Sequence, residues 1–175
     1  MTSFRHLRAV AFDLGGTLMR EDYAQTHSLR TLPFADAALE ALAPHATLVV
    51  ATNSNYSAEH TGALLERLRL RPYISQIFTS RTVGAMKPQS AYFQHILSAL
   101  GLQPDEMVMV GDSYYADISG AKLCGLWTVW LTQSATQAPD ADAVISGLRG
   151  APPAIAWLDD VAAQAASNRN RPTLP

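Results

Sequence analysis

The feature that most limits what this chain can become is an alternation. Five short apolar runs rich in β-branched residues are separated by segments of helical period: RAVAFDL (8–14), ATLVVAT (46–52), ISQIFTS (74–80), EMVMVGD (106–112) and LWTVWLT (126–132). Their unbroken apolar character suits strands buried on both faces, as in a parallel sheet. Between them, FADAALEALAPH (34–45), SAEHTGALLERLRL (57–70), QSAYFQHILSALG (89–101) and YADISGAKLCG (115–125) read as helices. Ser57 is placed to cap the second of these, and Gly101 and Gly125 sit where C-terminal caps belong. Strand–helix alternation of this kind builds a layered α/β fold with right-handed crossovers. DAVISGL (142–148) adds a last edge strand and AIAWLDDVAAQAA (154–166) a closing helix, so the sheet should have five or six strands. Residues 1–166 are therefore expected to form a single domain, and the tail 167–175, which has no apolar period, to be disordered.

With 175 residues the chain can build one full-sized core. A net charge of −2 gives no electrostatic footprint for nucleic acid or for an anionic membrane. The single cysteine, Cys124, excludes an internal disulfide framework and a multi-thiolate zinc site. The N-terminal stretch carries Asp13 and lacks a small-residue cleavage site, and no run reaches membrane-spanning length, so the expected compartment is the cytoplasm. The glycine pair 15–16 lacks the third glycine of a dinucleotide fingerprint, and there is no Gly-Lys-Ser/Thr of a P-loop. A receiver domain would need an acidic pair on the first strand and its phospho-acceptor on the third, which this chain lacks.

In a parallel sheet, ligands gather outside the carboxyl ends of the strands. There the first run ends in Asp13, the second in TNSN (52–55) and the fourth in GDSYYAD (111–117). Lys87 lies in the connection after the third, with Pro88 suited to the first position of the next helix. Singly, each has a plainer use: Asp112 and Ser113 as a helix cap, Thr52 and Asn53 as turn residues, Lys87 as a surface lysine. Together they place a threonine, a lysine and two carboxylates on one rim.

FDLGGTL, ATNSN, MKP and VGDSYYAD resemble, in order, the four signature motifs of the haloacid dehalogenase superfamily, from about residue 8 to residue 131. The resemblance implies a Rossmann-like three-layer α/β sandwich and magnesium-dependent phosphoryl transfer. It implies that Asp13 is the nucleophile that becomes an aspartyl phosphate, with Lys87 offsetting charge and Thr52 bonding the phosphate. Asp13, Asp112 and the Gly15 carbonyl would hold the metal. Gly16, Asn53, Ser113 and Asp117 would border the substrate, and Asp117 usually orients the lysine or a metal-bound water.

Phosphatases of this superfamily usually carry a second aspartate two residues after the first, where this chain has Gly15. General acid–base catalysis contributes about 10²–10⁴ in rate. Three outcomes stay open. The leaving group needs no proton, as in an acyl phosphate; a neighbour such as Glu21, Asp22 or His27 substitutes; or the chain is a non-catalytic binding or regulatory protein. The interval from Asp13 to Thr52 is 39 residues and that from Thr52 to Lys87 is 35, which leaves no room for a cap domain. An open rim and a bulky phosphorylated substrate are the expectation. Trp127 and Trp130, three apart on one strand, should face opposite sides of the sheet, and Cys124 should be a small buried hydrophobe.

Overall fold

The computed structural model describes residues 4–20, 29–134 and 138–169. Each of the five apolar runs forms a strand: β1 (Ala9–Phe12), β2 (Thr47–Thr52), β3 (Gln76–Thr79), β4 (Met107–Gly111) and β5 (Trp127–Leu131). The expected edge strand is β6 (Ala143–Ile145), and all six pair in parallel in the order β3-β2-β1-β4-β5-β6. The chain leaves β1 in one direction toward β2 and later returns to its other side as β4. That reversal opens a crevice at the carboxyl end of β1.

Alternation along the strands divides the core between two faces. Val10, Phe12, Leu48, Val50, Val108 and Val110 pack with Leu39 and Leu42 of α1 (Ala35–Leu42) and with Ile155 and Leu158 of α6 (Ala151–Arg169). Leu65 of α2 (Ala58–Arg67), which Ser57 caps by accepting the His60 N–H, joins the same cluster. Ala9, Ala11, Val49 and Ala51 face the other way, where their small side chains admit Tyr92 and Phe93 of α4 (Ser90–Leu100). Each large side chain so buried contributes roughly 1.5–3 kcal/mol. At the amino end of β1, buried Asp159 of α6 accepts the backbone N–H groups of Arg5, His6 and Leu7 at 2.7, 2.8 and 2.8 Å. No helix among the described residues is long and apolar enough to cross a membrane.

Four local expectations are corrected. The helix after α3 (Ser80–Val83) begins at Ser90 rather than Pro88, because Met86–Gln89 closes a turn around a cis Lys87–Pro88 peptide, with the Gln89 N–H on the Met86 carbonyl at 2.8 Å. The segment after β4 is not a plain α-helix: a π-helical stretch, Tyr114–Ser119, runs into α5 (Gly120–Leu123). Such widened turns recur at functional sites. Helix α6 starts at Ala151, since Pro152 and Pro153 fit a first turn whose N–H groups need no helical partner. The same helix continues through Arg169, into the stretch expected to be a disordered tail; residues 170–175 lie outside the described residues.

Candidate active site

Asp13 follows directly on β1, and its N–H still joins the sheet by donating to the Val110 carbonyl of β4 at 2.9 Å. The ladder thus fixes where its carboxylate leaves the backbone, at the crevice. The next residues turn back on themselves: the Leu18 and Met19 N–H groups both donate to the Leu14 carbonyl, and the Gly16 N–H donates to the Met19 carbonyl at 2.8 Å. Gly16 needs its glycine. Its φ is +78°, and a Cβ there would lie 2.3 Å from Oδ2 of Asp112. Buried Thr17 donates its hydroxyl to Oδ1 of Asp112 at 3.1 Å.

Lys87 is the centre of the arrangement. Its ammonium is almost wholly buried and donates to Asp13 Oδ1 at 2.7 Å, to Asp117 Oδ1 at 2.6 Å and to the Ala51 carbonyl at 2.7 Å. Three donors meet three acceptors. The loop bearing Lys87 is clamped by Asn53, whose amide donates to the Lys87 carbonyl and accepts the Lys87 N–H, both at 2.8 Å. Asp117 spends its second oxygen on the Ser113 N–H at 3.0 Å. A Cβ on Gly111 would strike that carboxylate at 2.2 Å, so this approach too needs a glycine.

Asp13, Asp112 and Asp117 each offer an oxygen within 4.8 Å of the others, against a single ammonium. Burial pushes the Asp13 carboxyl up, Lys87 pulls it back, and Asp117 and Asp112 push it up again, to about 6 from an ordinary 3.8. Burial alone would lower Lys87, but Asp13 and Asp117 more than reverse this and hold it above its usual value. The lysine therefore stays charged while the carboxylates outnumber it.

A cleft of about 280 Å³ joins these groups, walled by Asp13, Gly15, Thr52, Asn53, Lys87, Asp112, Ser113, Asp117 and Ala116. The Gly16 N–H is spent in its own turn, and Gly16 lies outside the cleft wall. The Asn53 side chain is committed to Lys87, which leaves only its backbone to face a ligand. Ser113 caps the following turn by accepting the Ala116 N–H at 3.2 Å, while keeping its hydroxyl proton. Glu21, Asp22 and His27 lie outside the described residues. Two supports were not among the expected site residues. Thr17 sits within one of the motifs and was readable there. Trp130, whose indole donates to the Asp112 carbonyl at 2.9 Å, carries no local sign of that role. Trp127 is half-buried, with its indole on the Asp105 carbonyl at 3.0 Å.

Residues 20–125 match the haloacid dehalogenase-like hydrolase family. The chain belongs to that family. Thr52, Lys87, Asp112 and Asp117 fall inside the matched residues, and Asp13 precedes them. Among curated members, ribulose-1,5-bisphosphate 5-phosphatase of Halopiger xanaduensis is 38% identical over 102 residues, which are 58% of this chain and 41% of that one. Glyceraldehyde 3-phosphate phosphatase of Pyrococcus furiosus is 41% identical over 64 residues, 37% of this chain and 27% of that one. A pyrimidine 5'-nucleotidase of Escherichia coli is 33% identical over 111 residues, 62% of this chain and 48% of that one. The chain thus spans less than half the length of each of these relatives. Among solved structures, a HAD phosphatase from Thermococcus onnurineus superposes with a TM-score of 0.74 at 21% identity, covering 85% of this chain and 98% of that one. A haloacid dehalogenase-like family hydrolase from Xanthomonas campestris gives 0.76 at 16% identity, covering 91% and 99%. At these identities the structural likeness establishes the fold.

Proposed function

We propose that the protein hydrolyses phosphate monoesters through a covalent phosphoryl group on Asp13, with magnesium bound beside it. The observation that carries this is the surplus of charge: three buried or half-buried carboxylates lie together at the carboxyl ends of parallel strands, and the one buried lysine among them pairs with only Asp13 and Asp117. Buried charge without a partner is costly, so the cluster calls for a further cation. The donors suit magnesium, which favours oxygen ligands. Asp117 has both oxygens committed, so Asp13, Asp112 and the Gly15 carbonyl would hold the ion. When bound, the metal offsets the negative charge of the phosphoryl oxygens and the carboxylates around them.

Lys87 donates to Oδ1 of Asp13, whose remaining lone pair would face the metal, which leaves Oδ2 to attack phosphorus. The new Oδ2–P bond forms as the ester P–O bond breaks, and the alcohol leaves with a proton drawn from solvent. Water then attacks the aspartyl phosphate, breaks the Oδ2–P bond and returns Asp13 with inorganic phosphate. The Thr52 hydroxyl and the Asn53 N–H are donors for the phosphoryl oxygens. Gly15 offers no acid for the first step and no base for the second. That deficit of about 10²–10⁴ in rate, or roughly 3–5 kcal/mol at 1.36 kcal/mol per decade, favours substrates whose leaving group needs no proton. Two of the three relatives are named phosphatases and the third a 5'-nucleotidase, which supports the phosphomonoester class. The short intervals between the motifs support a capless site, a single domain over residues 1–166 and a bulky substrate.

The test is phosphate release from a panel of aryl, alkyl and acyl phosphates, with and without magnesium, using Asp13→Asn as the blank. Release that needs both magnesium and Asp13 is the expected result. Magnesium binding with no turnover of any substrate would instead favour a non-catalytic binding protein, the reading that Gly15 makes physically reasonable.

A further inference from the structure

A second and larger cavity opens on the same rim, and the phosphoryl chemistry does not use it. It measures about 820 Å³, and its walls include Gly16, Phe34, Leu131, Val144, Gly147 and Arg149. Leu131 closes β5 and Val144 belongs to β6, so the cavity lies at the carboxyl ends of the strands beyond β4. Gly16 connects the two spaces: it lines the cavity, and a Cβ on it would overlap the Asp112 carboxylate of the cleft.

Phe34 is the odd residue in this wall. It precedes α1 with φ 65° and ψ 14°, a left-handed conformation that a bulky side chain adopts only under constraint, and it provides no side-chain cap. Asparagine or aspartate adopts that conformation at lower cost. Instead the position holds an aromatic ring that is 51% exposed, with the Arg149 guanidinium 5.7 Å from its centroid. The fold gains little from that exposure, but a ligand in the cavity would gain a stacking face with a cation at its edge.

We infer that this cavity is the subsite for the organic part of the phosphorylated substrate, and that the group it takes is flat and apolar, an aromatic ring above all. This rests on the reading of the cleft as the phosphoryl site. The size difference supports the division of labour. A space of 280 Å³ falls below the roughly 300–1,000 Å³ that whole small ligands occupy, whereas 820 Å³ falls within it. The phosphoryl group fills the cleft, and the leaving group crosses Gly16 into the cavity, with Arg149 meeting an acceptor on its rim.

Gly147 offers a way to close the cavity. Its φ of −178° is ordinary extended backbone, and a Cβ there meets nothing within 4 Å, so Gly147→Trp adds bulk to the space without forcing the chain. Two measurements on the folded variants are needed: binding of 1-naphthol, which requires no turnover, and kcat/KM for 1-naphthyl phosphate against acetyl phosphate with magnesium. Gly147→Trp should weaken naphthol binding at least about tenfold and lower the naphthyl-to-acetyl ratio of kcat/KM by a similar factor. Phe34→Ala should move both in the same direction, and Phe34→Tyr should restore them. Naphthol binding that is absent in wild type or equal in Gly147→Trp, or an unchanged ratio, overturns the inference. Release of phosphate from neither compound would count against the hydrolytic reading alone, and the naphthol arm would still decide the subsite.

Discussion

Opposite ends of β1 are tied to two kinds of buried carboxylate. At the amino end, Asp159 meets three backbone N–H groups, which are neutral dipoles. At the carboxyl end, oxygens of Asp13, Asp112 and Asp117 crowd within 4.8 Å of one another, and one lysine pairs with only Asp13 and Asp117. The first is an anchor whose hydrogen-bonding capacity is used on the chain itself. The second carries more negative charge than its partners neutralise, which is destabilising in itself and which the proposed cation would relieve. Hydrogen-bond saturation marks structure here, and uncompensated charge marks the site.

The sharpest way to break this contrast is Asp13→Asn. It should reduce phosphate release by at least about 10⁴-fold, the scale on which losing a nucleophile is felt. It should also make the metal-free protein more stable at pH 7, by up to about 3 kcal/mol, since the raised carboxyl no longer has to ionise in the core. Chemical denaturation of both proteins with chelator present checks the sign. Lys87→Met should do the reverse to stability. It leaves Asp13 and Asp117 without their cation, a loss of about 3–5 kcal/mol for a broken buried pair, measured by the same denaturation.

Asp159→Ala should cost about 3 kcal/mol, because three backbone donors lose their acceptor in a buried setting. Its kcat/KM per folded molecule should equal that of wild type; a selective loss of activity would erase the distinction between anchor and site. The pH dependence gives the finest test. A carboxyl raised from 3.8 to about 6 contributes stability below pH 4 that is lost as pH climbs through 6. The stability advantage of metal-free Asp13→Asn over wild type should therefore be full at pH 7 and close as pH falls toward 4. A constant difference across that range would mean that Asp13 does not titrate as its surroundings dictate.

The layers of the fold were legible because burial on both faces leaves a pattern that depends on near neighbours. Every apolar run from RAVAFDL to LWTVWLT became a strand. Asp13, Thr52 and Asp112 could be picked out because each lies at or just beyond a strand end, where a polar residue is conspicuous, whereas Lys87, in the connection eight residues past β3, was marked only by the MKP motif. What holds them in place could not. The Asn53–Lys87 clamp joins residues 34 apart, and the Trp130–Asp112 bond joins residues 18 apart; both run from a side chain to distant backbone, which no periodicity encodes. Phe34 and the π-helical turn at Tyr114–Ser119 are likewise set by tertiary surroundings rather than propensity.

The most direct measurement is intact-mass spectrometry after incubation with acetyl phosphate and magnesium. The proposed loss of the water-activating base at Gly15 would slow release more than capture, so wild type should gain the mass of one phosphoryl group, with none on Asp13→Asn and none when magnesium is chelated. No adduct under any condition, or the same adduct on Asp13→Asn, would contradict phosphoryl transfer through this carboxylate.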